Sequence, residues 1–320
     1  MRFYNLTVTN PATGKVAFSA GSYPGGIYDP GALNVIFDVL TYDFAQPHGG
    51  STITIEGVDP TILSNAQNFA IPKKNYLIEL SGGMGAGLPL ANPRQAGLLF
   101  AGEIYQSFGN WLGTEINLNL VFSASALRGK QPNIALNWTA GTQLSVALTN
   151  ALTVAYPNAK VKVNIGNYVL PHDEVGTHES ITGFAQMIDD ITSGAVQMTA
   201  SGNTIYVYDK TYSPPPVQLQ FTDFVGQPVW VAANRIQIMC IMRSDIRVGR
   251  QILMPAPPAG GTTINQPGFV QTTAASYPSQ SNYTLNIKGK FVVKAVRHIG
   301  NLRQPDGRSW CTVINAAPAV

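Results

Sequence analysis

The chain has 320 residues, of which 45% are hydrophobic and only 12% charged, with 31 glycines, 22 prolines and a net charge of +3. This length supports two or three units with substantial cores, and the abundance of Gly and Pro argues against long helices and for short strands joined by turns. Two cysteines, Cys240 and Cys311, exclude a disulfide framework, and no apolar run approaches the roughly 18 residues of a membrane-spanning helix.

The N-terminal MRFYNLTVTNPATG carries no apolar signal-peptide region, so synthesis in a cytoplasm is expected. Residues 1–128 read as an all-β unit. Strands are predicted at 34–44 (NVIFDVLTYDF) and 51–58 (STITIEGV), with a PHGG turn between them. Further strands are expected at 75–80 and, after an SGGMGAGLPLANP connection, at 97–107. In the strand predicted over 114–123, Ile116, Leu118, Leu120 and Phe122 alternate with Glu115, Asn117, Asn119 and Val121, so one face is buried.

The pattern then changes. Leu144, Leu148, Ala151, Leu152 and Ala155 follow helical spacing, with Thr142 as a candidate cap and Pro157 as a stop. A short strand at 160–165, a second amphipathic helix marked by Ile181, Phe184, Ile188 and Ile191, and a strand at 203–209 complete a small α/β module over 129–216. Ser213-Pro214-Pro215-Pro216 reads as its stiff linker. Residues 217–320 return to β: an alternating strand at 235–242, a tight S-D-I-R-V-G corner, a short strand at 250–254, and further strands from Tyr283 to Ala317. The long Pro-, Gly-, Thr- and Ser-rich loop 256–282 lacks periodicity, and a loop of that length is expected to be ordered by a neighbour.

Charge is uneven. Residues 211–320 hold ten basic side chains against three acids (Asp223, Asp245 and Asp306), a surplus of seven. Such asymmetry points to an acidic or polyanionic neighbour for the C-terminal part. The scarcity of charge elsewhere suggests a surface meant to be covered by other subunits.

No motif carries chemistry. The His172-Asp173-Glu174…His178-Glu179 cluster has no metal-site spacing, and Pro171 and Gly176 suggest an exposed loop. Asp189 and Asp190 are adjacent on a predicted helix and point apart, which suits solvated residues rather than an acid/base pair. SGGMGAG at 81–87 lacks the G-K-[ST] ending of a phosphate loop, and Pro89 and Pro93 come after it in place of a helical pattern. Trp111, Trp138, Trp230 and Trp310 are dispersed. The expectation is no catalytic, cofactor or metal site.

The order of a β unit, a module opening with G-T-x-x-x-x-A-L, a G-Q-P turn and a barrel containing R-I-x-I-x-C-I-M-x-S-D-I-R-V-G resembles the baseplate hub proteins of contractile-tailed bacteriophages, which are related to the spike proteins of type VI secretion systems. STITIEGV and GLLFAGEIYQSFGNWLGTEINLNLVF are similar to the family's first tube-like domain, and SDIRVGRQILM and GKFVVKAVRHIG…GRSW to the second. The resemblance implies a mainly β fold, two tube-like β-barrel domains (1–128 and 217–320) flanking the α/β module. It also implies a structural virion protein of the tail baseplate, made in the host bacterial cytoplasm. It would be a homotrimer joining a six-fold tail tube to a three-fold central spike and forming part of the conduit for the tape-measure protein and DNA. Implied partners are its own copies, the tail tube or a tube-initiator protein, the spike, the tape measure and, transiently and without sequence preference, DNA. Lys288, Lys290 and Lys294 share parity in a continuous strand, opposite Ile287, Phe291, Val293 and Ala295, and are expected to form a basic face toward the channel or an acidic partner. The competing readings are a carbohydrate-binding or carbohydrate-cleaving β protein of a tail fibre or secreted enzyme, and a tail-tube or tube-initiator protein.

Overall fold

In a computed structural model the protein is described over residues 2–44, 50–70, 75–85, 92, 95–127, 133–212, 214–255 and 289–319. Most of the PHGG turn, part of the SGGMGAG segment, Ser213, the loop 256–282 and Lys288 lie outside these residues. The first stretch contains β1 (Arg2–Thr9), β2 (Val16–Gly21), β3 (Asn34–Tyr42), β4 (Ser51–Glu56), the short α1 (Pro60–Ser64), β5 (Leu77–Met84), β6 (Gly97–Leu112) and β7 (Glu115–Ser123). Next come β8 (Ile134–Trp138), α2 (Leu144–Ala155), β9 (Lys160–Asn164), β10 (Glu174–His178), α3 (Ile181–Ile191), β11 (Gln197–Ser201) and β12 (Thr204–Tyr208). The C-terminal stretch holds β13 (Val217–Gln218), β14 (Val229–Ala232), β15 (Arg235–Ile241), β16 (Gln251–Leu253), β17 (Lys290–Asn301) and β18 (Trp310–Pro318). The fold is mainly β with a helical insertion, as the sequence leads one to expect.

Each strand forms because its alternation gives it one apolar side. Val35, Phe37 and Val39 of β3, Ile53 and Ile55 of β4, and Leu118, Leu120 and Phe122 of β7 meet Tyr4, Leu6 and Val8 of β1 in the first core. At about 1.5–3 kcal/mol per fully buried large apolar side chain, this alternation outweighs the weak intrinsic preference of any single residue. A second core packs α2 and α3 against β8, β11 and β12, and a third lies under β15, β16, β17 and β18. The cores exchange residues. Met242 and Trp310 from the C-terminal stretch sit in the first, Phe44 and Ala126 from the N-terminal stretch in the second, and Tyr208 from the insertion in the third.

The strands of the two β stretches join in one sheet, while β8 with β10, and β9 with β11 and β12, form two smaller sheets of the insertion. Among the described residues the order of the large sheet is β14-β15-β18-β17-β3-β4-β7-β6-β5-β1-β2, with β13 and β16 branching from it. The link between the two β stretches is the antiparallel β3–β17 ladder, from Ala295↔Tyr42 to Asn301↔Ile36. Strand β17 pairs with β16 over Lys290–Val292 and with β3 from Ala295 onward. The handover falls at Lys294, where the register against β18 slips by one residue between Val293 and Ala295. An extra residue at that point bends the strand and re-aims the side chains beyond it. Gly300 is register-paired with Phe37, and a Cβ on it would stand 2.2 Å from that ring. The missing side chain lets Phe37 lie across the ladder and meet Trp310 edge-on, ring centroids 5.3 Å apart.

Several local readings change. Two N-terminal strands, β1 and β2, add to those expected; in β1, Tyr4, Leu6 and Val8 alternate with Asn5 and Thr7. The His172–Glu179 segment is not wholly a loop: Glu174–His178 is strand β10, paired with β8. Thr142 does not cap α2; the N-cap is Gln143, without a side-chain cap bond, while the Thr142 hydroxyl lies 3.1 Å from that of Thr139. Helix α3 is capped by Ser180, which accepts from the Gly183 N–H.

Candidate interaction face

With the first and third cores on one side, the other side of the row β6-β7-β4-β3-β17-β18-β15-β14 is a face of eight strands, roughly 34 Å across at about 4.8 Å per strand. Tyr42, at the end of β3, leaves this face to pack on the second core. Register defines what it presents. One cross-strand line runs Phe108, Asn119, Thr54, Ile36, Asn301, and a second runs Gln106, Val121, Thr52, Asp38, Ile299. A third, on the C-terminal strands, runs Ala295, Asn315, Gln237. The polar members are mostly uncharged amides and hydroxyls, and they bond to one another: Thr54 Oγ1 donates to Asn119 Oδ1 at 2.9 Å.

The central charges of this face are paired or hydrogen-bonded, while Glu115 at the start of β7 stays exposed. Arg297 of β17 grips Asp38 of β3 through both guanidinium edges, Nε to Oδ1 at 2.7 Å and Nη2 to Oδ2. The hydrogen bond to Asp38 holds the Arg297 pKa above its ordinary value, against the opposing effect of burial. Both side chains are about half exposed, so the pair adds little stability, but it cancels charge across the seam between the two β stretches. Glu56 accepts from Asn34 Nδ2 at 2.8 Å. A shallow hollow of about 560 Å³ lies on the same seam, between Ile36, Asp38, Thr54, Ile299 and the Gln304–Ser309 turn.

Of the three lysines, Lys290 is exposed at the start of β17, and Lys288 lies outside the described residues. Lys294 occupies the bulge and is half-buried. Burial lowers its pKa, opposed by the Asp43 and Asp189 carboxylates. Burial in turn raises the Asp189 carboxyl, against the pull of Lys294 and with a further push from Asp190. Lys294 therefore lies in the field of two carboxylates of its own chain, and Asp189 is partly buried rather than fully solvated.

The other candidates stay apart. His172 Nε2 meets Glu174 Oε1 at 2.8 Å on the surface, and Asp173 accepts from the Ala140 N–H. No group of three or more His, Cys, Asp or Glu placed to hold a metal ion occurs among the described residues. Cys240 and Cys311 are buried thiols whose pKa values burial pushes up to about 12 and about 11, which makes them poor nucleophiles. No helix among the described residues is long and apolar enough to cross a membrane.

Two features escape the sequence. Tyr105, Phe108 and Trp111 are exposed on the long β6 strand, at 49%, 46% and 62%, Phe108 on the outward face opposite Asn119. The polar cross-strand lines are equally hidden, although the outward series Glu115, Asn117, Asn119 was half of the signal.

No protein-family model matches the chain, and no curated protein matches it. Solved structures do. A tail protein of Neisseria meningitidis MC58 aligns with a TM-score of 0.55 at 11% identity, over 98% of this chain and 96% of that one. The 43 kDa tail protein of prophage MuSo2 from Shewanella oneidensis aligns with a TM-score of 0.55 at 7% identity, over 99% and 98%. A chain of the Francisella PdpA–VgrG complex aligns with a TM-score of 0.52 at 5% identity, covering 99% of this chain and 53% of that chain. At these identities the likeness is one of fold, and at that level the resemblance to tail proteins read from the sequence holds.

Proposed function

We propose that this chain is a structural tail component, a homotrimeric baseplate hub whose eight-strand face lines a conduit. The observation that carries the reading is the single sheet running through both β stretches with the first and third cores behind one face. Two tube-like units per chain (1–128 and 217–320, with 129–216 inserted) give six in a trimer, which matches a six-fold tube at one end and a three-fold spike at the other. The fold shared with phage tail proteins over nearly their whole length supports the same role. A lining mostly of amides and hydroxyls, with Arg297 paired to Asp38, would let a tape-measure protein or DNA pass without holding it, since retention of a polyanion requires unpaired cations.

The exposed aromatics of the β6–β7 hairpin suit contact with a tube or neighbouring subunit, where Tyr, Trp and Phe are enriched. Of the three lysines, Lys290 and Lys288 remain our candidates for contact with an acidic partner, Lys294 being half-buried near Asp43 and Asp189 of its own chain. Native mass spectrometry of the chain alone and with its spike partner tests the hub: a trimer is expected in at least one setting. A monomer in both overturns it, and a monomer that binds glycans turns the assignment to a carbohydrate-binding protein.

A further inference from the structure

On the core side of β17, away from the eight-strand face, lies a second recess. Val296 and His298 point into it, whereas Arg297 and Ile299 belong to the face. It is a cleft of about 450 Å³ between the start of β6, the β11–β12 hairpin and the Ser244–Arg250 corner, where the three cores meet. That volume is in the range of ordinary binding pockets. Leu98, Phe100, Tyr206 and Tyr212 supply apolar wall. Leu98 is 41% exposed there, beside buried Leu99 and Phe100.

The corner contributes charge of one sign. Asp245 is the acid of this lining, and both its oxygens are held by Arg243, Nε at 2.9 Å and Nη2 at 2.7 Å. Arg250 gives Nη1 to the Asp245 carbonyl at 3.0 Å, and its buried Nε has no hydrogen-bond partner. Arg247 is exposed, and among the described residues its guanidinium makes no hydrogen bond or ion pair.

We propose that this cleft binds an extended peptide segment carrying a carboxylate side chain beside an apolar one, the apolar group resting on Leu98, Phe100 and Tyr206 and the carboxylate on Arg247. A guanidinium fork matches a carboxylate in two-point geometry, and an apolar pocket with a few placed polar groups fixes orientation. A nucleic acid fits less well, because a polyanion is held by rows of free cations, and among the described lining residues Arg247 is the one guanidinium without a hydrogen bond or ion pair. The site does not depend on the oligomeric state or on the conduit role.

The test is selection of a bead-displayed random heptapeptide library against the full chain, followed by fluorescence anisotropy of the enriched peptides. Enriched sequences should place Asp or Glu within two positions of Leu, Phe, Tyr or Trp and bind saturably. R247Q should weaken them about ten-fold, and Leu98→Glu at least as much, with both variants melting as the parent does. Enrichment without acids, no enrichment beyond that of R247Q, or unchanged binding to both variants would overturn the proposal. So would equal competition by a single-stranded dT oligonucleotide, which would assign the cleft to nucleic acid.

Discussion

Arg243 shows how one side chain can tie distant parts of this chain together. It is almost fully buried, binds Asp223 as well as Asp245, and takes its backbone N–H to Thr312 Oγ1 at 2.9 Å. Asp223 also accepts from Gln95 Nε2 at 3.1 Å, so the network crosses from the second β stretch into the first. Removing the cation leaves a buried carboxylate uncompensated. Arg243→Met should therefore lose about 3–5 kcal/mol in chemical denaturation. His298 lies in the same layer, its Nδ1 3.0 Å from Thr312 Oγ1, and burial lowers its pKa from 6.5 to about 3. The unfolded chain binds this proton more readily than the folded one, so stability falls as pH drops from about 6.5 toward about 3. His298→Gln should flatten that part of the profile, read as denaturation midpoint against pH. An equally steep fall in the variant would assign the acid sensitivity to other groups.

At the scale of an element, β17 is where sequence parity and structure part. Lys290 and Lys294 look equivalent on a regular strand. The bulge puts Lys294 at the handover from β16 to β3, with its carbonyl accepting from the Asp43 N–H at 3.0 Å. Lys294→Glu would add a third carboxylate beside Asp43 and Asp189 and should cost about 2–4 kcal/mol. Lys290→Glu, on an exposed strand end, should stay within about 0.5 kcal/mol. Equal melting shifts for the two would show that the acidic setting of Lys294 has no energetic weight. Periodicity found α2, α3, β7 and β15 within a few residues because each has one apolar side. It passed over β1, although Tyr4, Leu6 and Val8 alternate there with Asn5 and Thr7, and it missed β10, whose central Val175, Gly176 and Thr177 are all exposed and give no buried side to detect.

For the whole molecule, the consequence of the β3–β17 ladder is that two β stretches behave as one wall. The cores exchange Met242, Trp310, Phe44, Ala126 and Tyr208, so the stretches are expected to melt together rather than in steps. On the proposed conduit reading, Thr54→Arg places an unpaired cation in the middle of the face. Such particles should assemble normally, because the substitution points away from the core, yet deliver DNA poorly. Replacing Lys288 and Lys290 by glutamine should impair assembly or delivery while the subunit still folds. Unchanged infectivity in both variants would remove this face and these lysines from the path.

The sequence alone determined the mainly β class, the position of the helical insertion and the likeness to tail proteins, because alternation, turn residues and composition are local and survive in a linear reading. It could not determine the face. Which outward residues align depends on register between strands as far apart as Asp38 and Arg297, and on a one-residue bulge at Lys294 that no periodicity announces. The arginine cleft depends in the same way on three separate segments closing around one corner. Pairing across the chain is decided by packing, and only the tertiary structure reveals it.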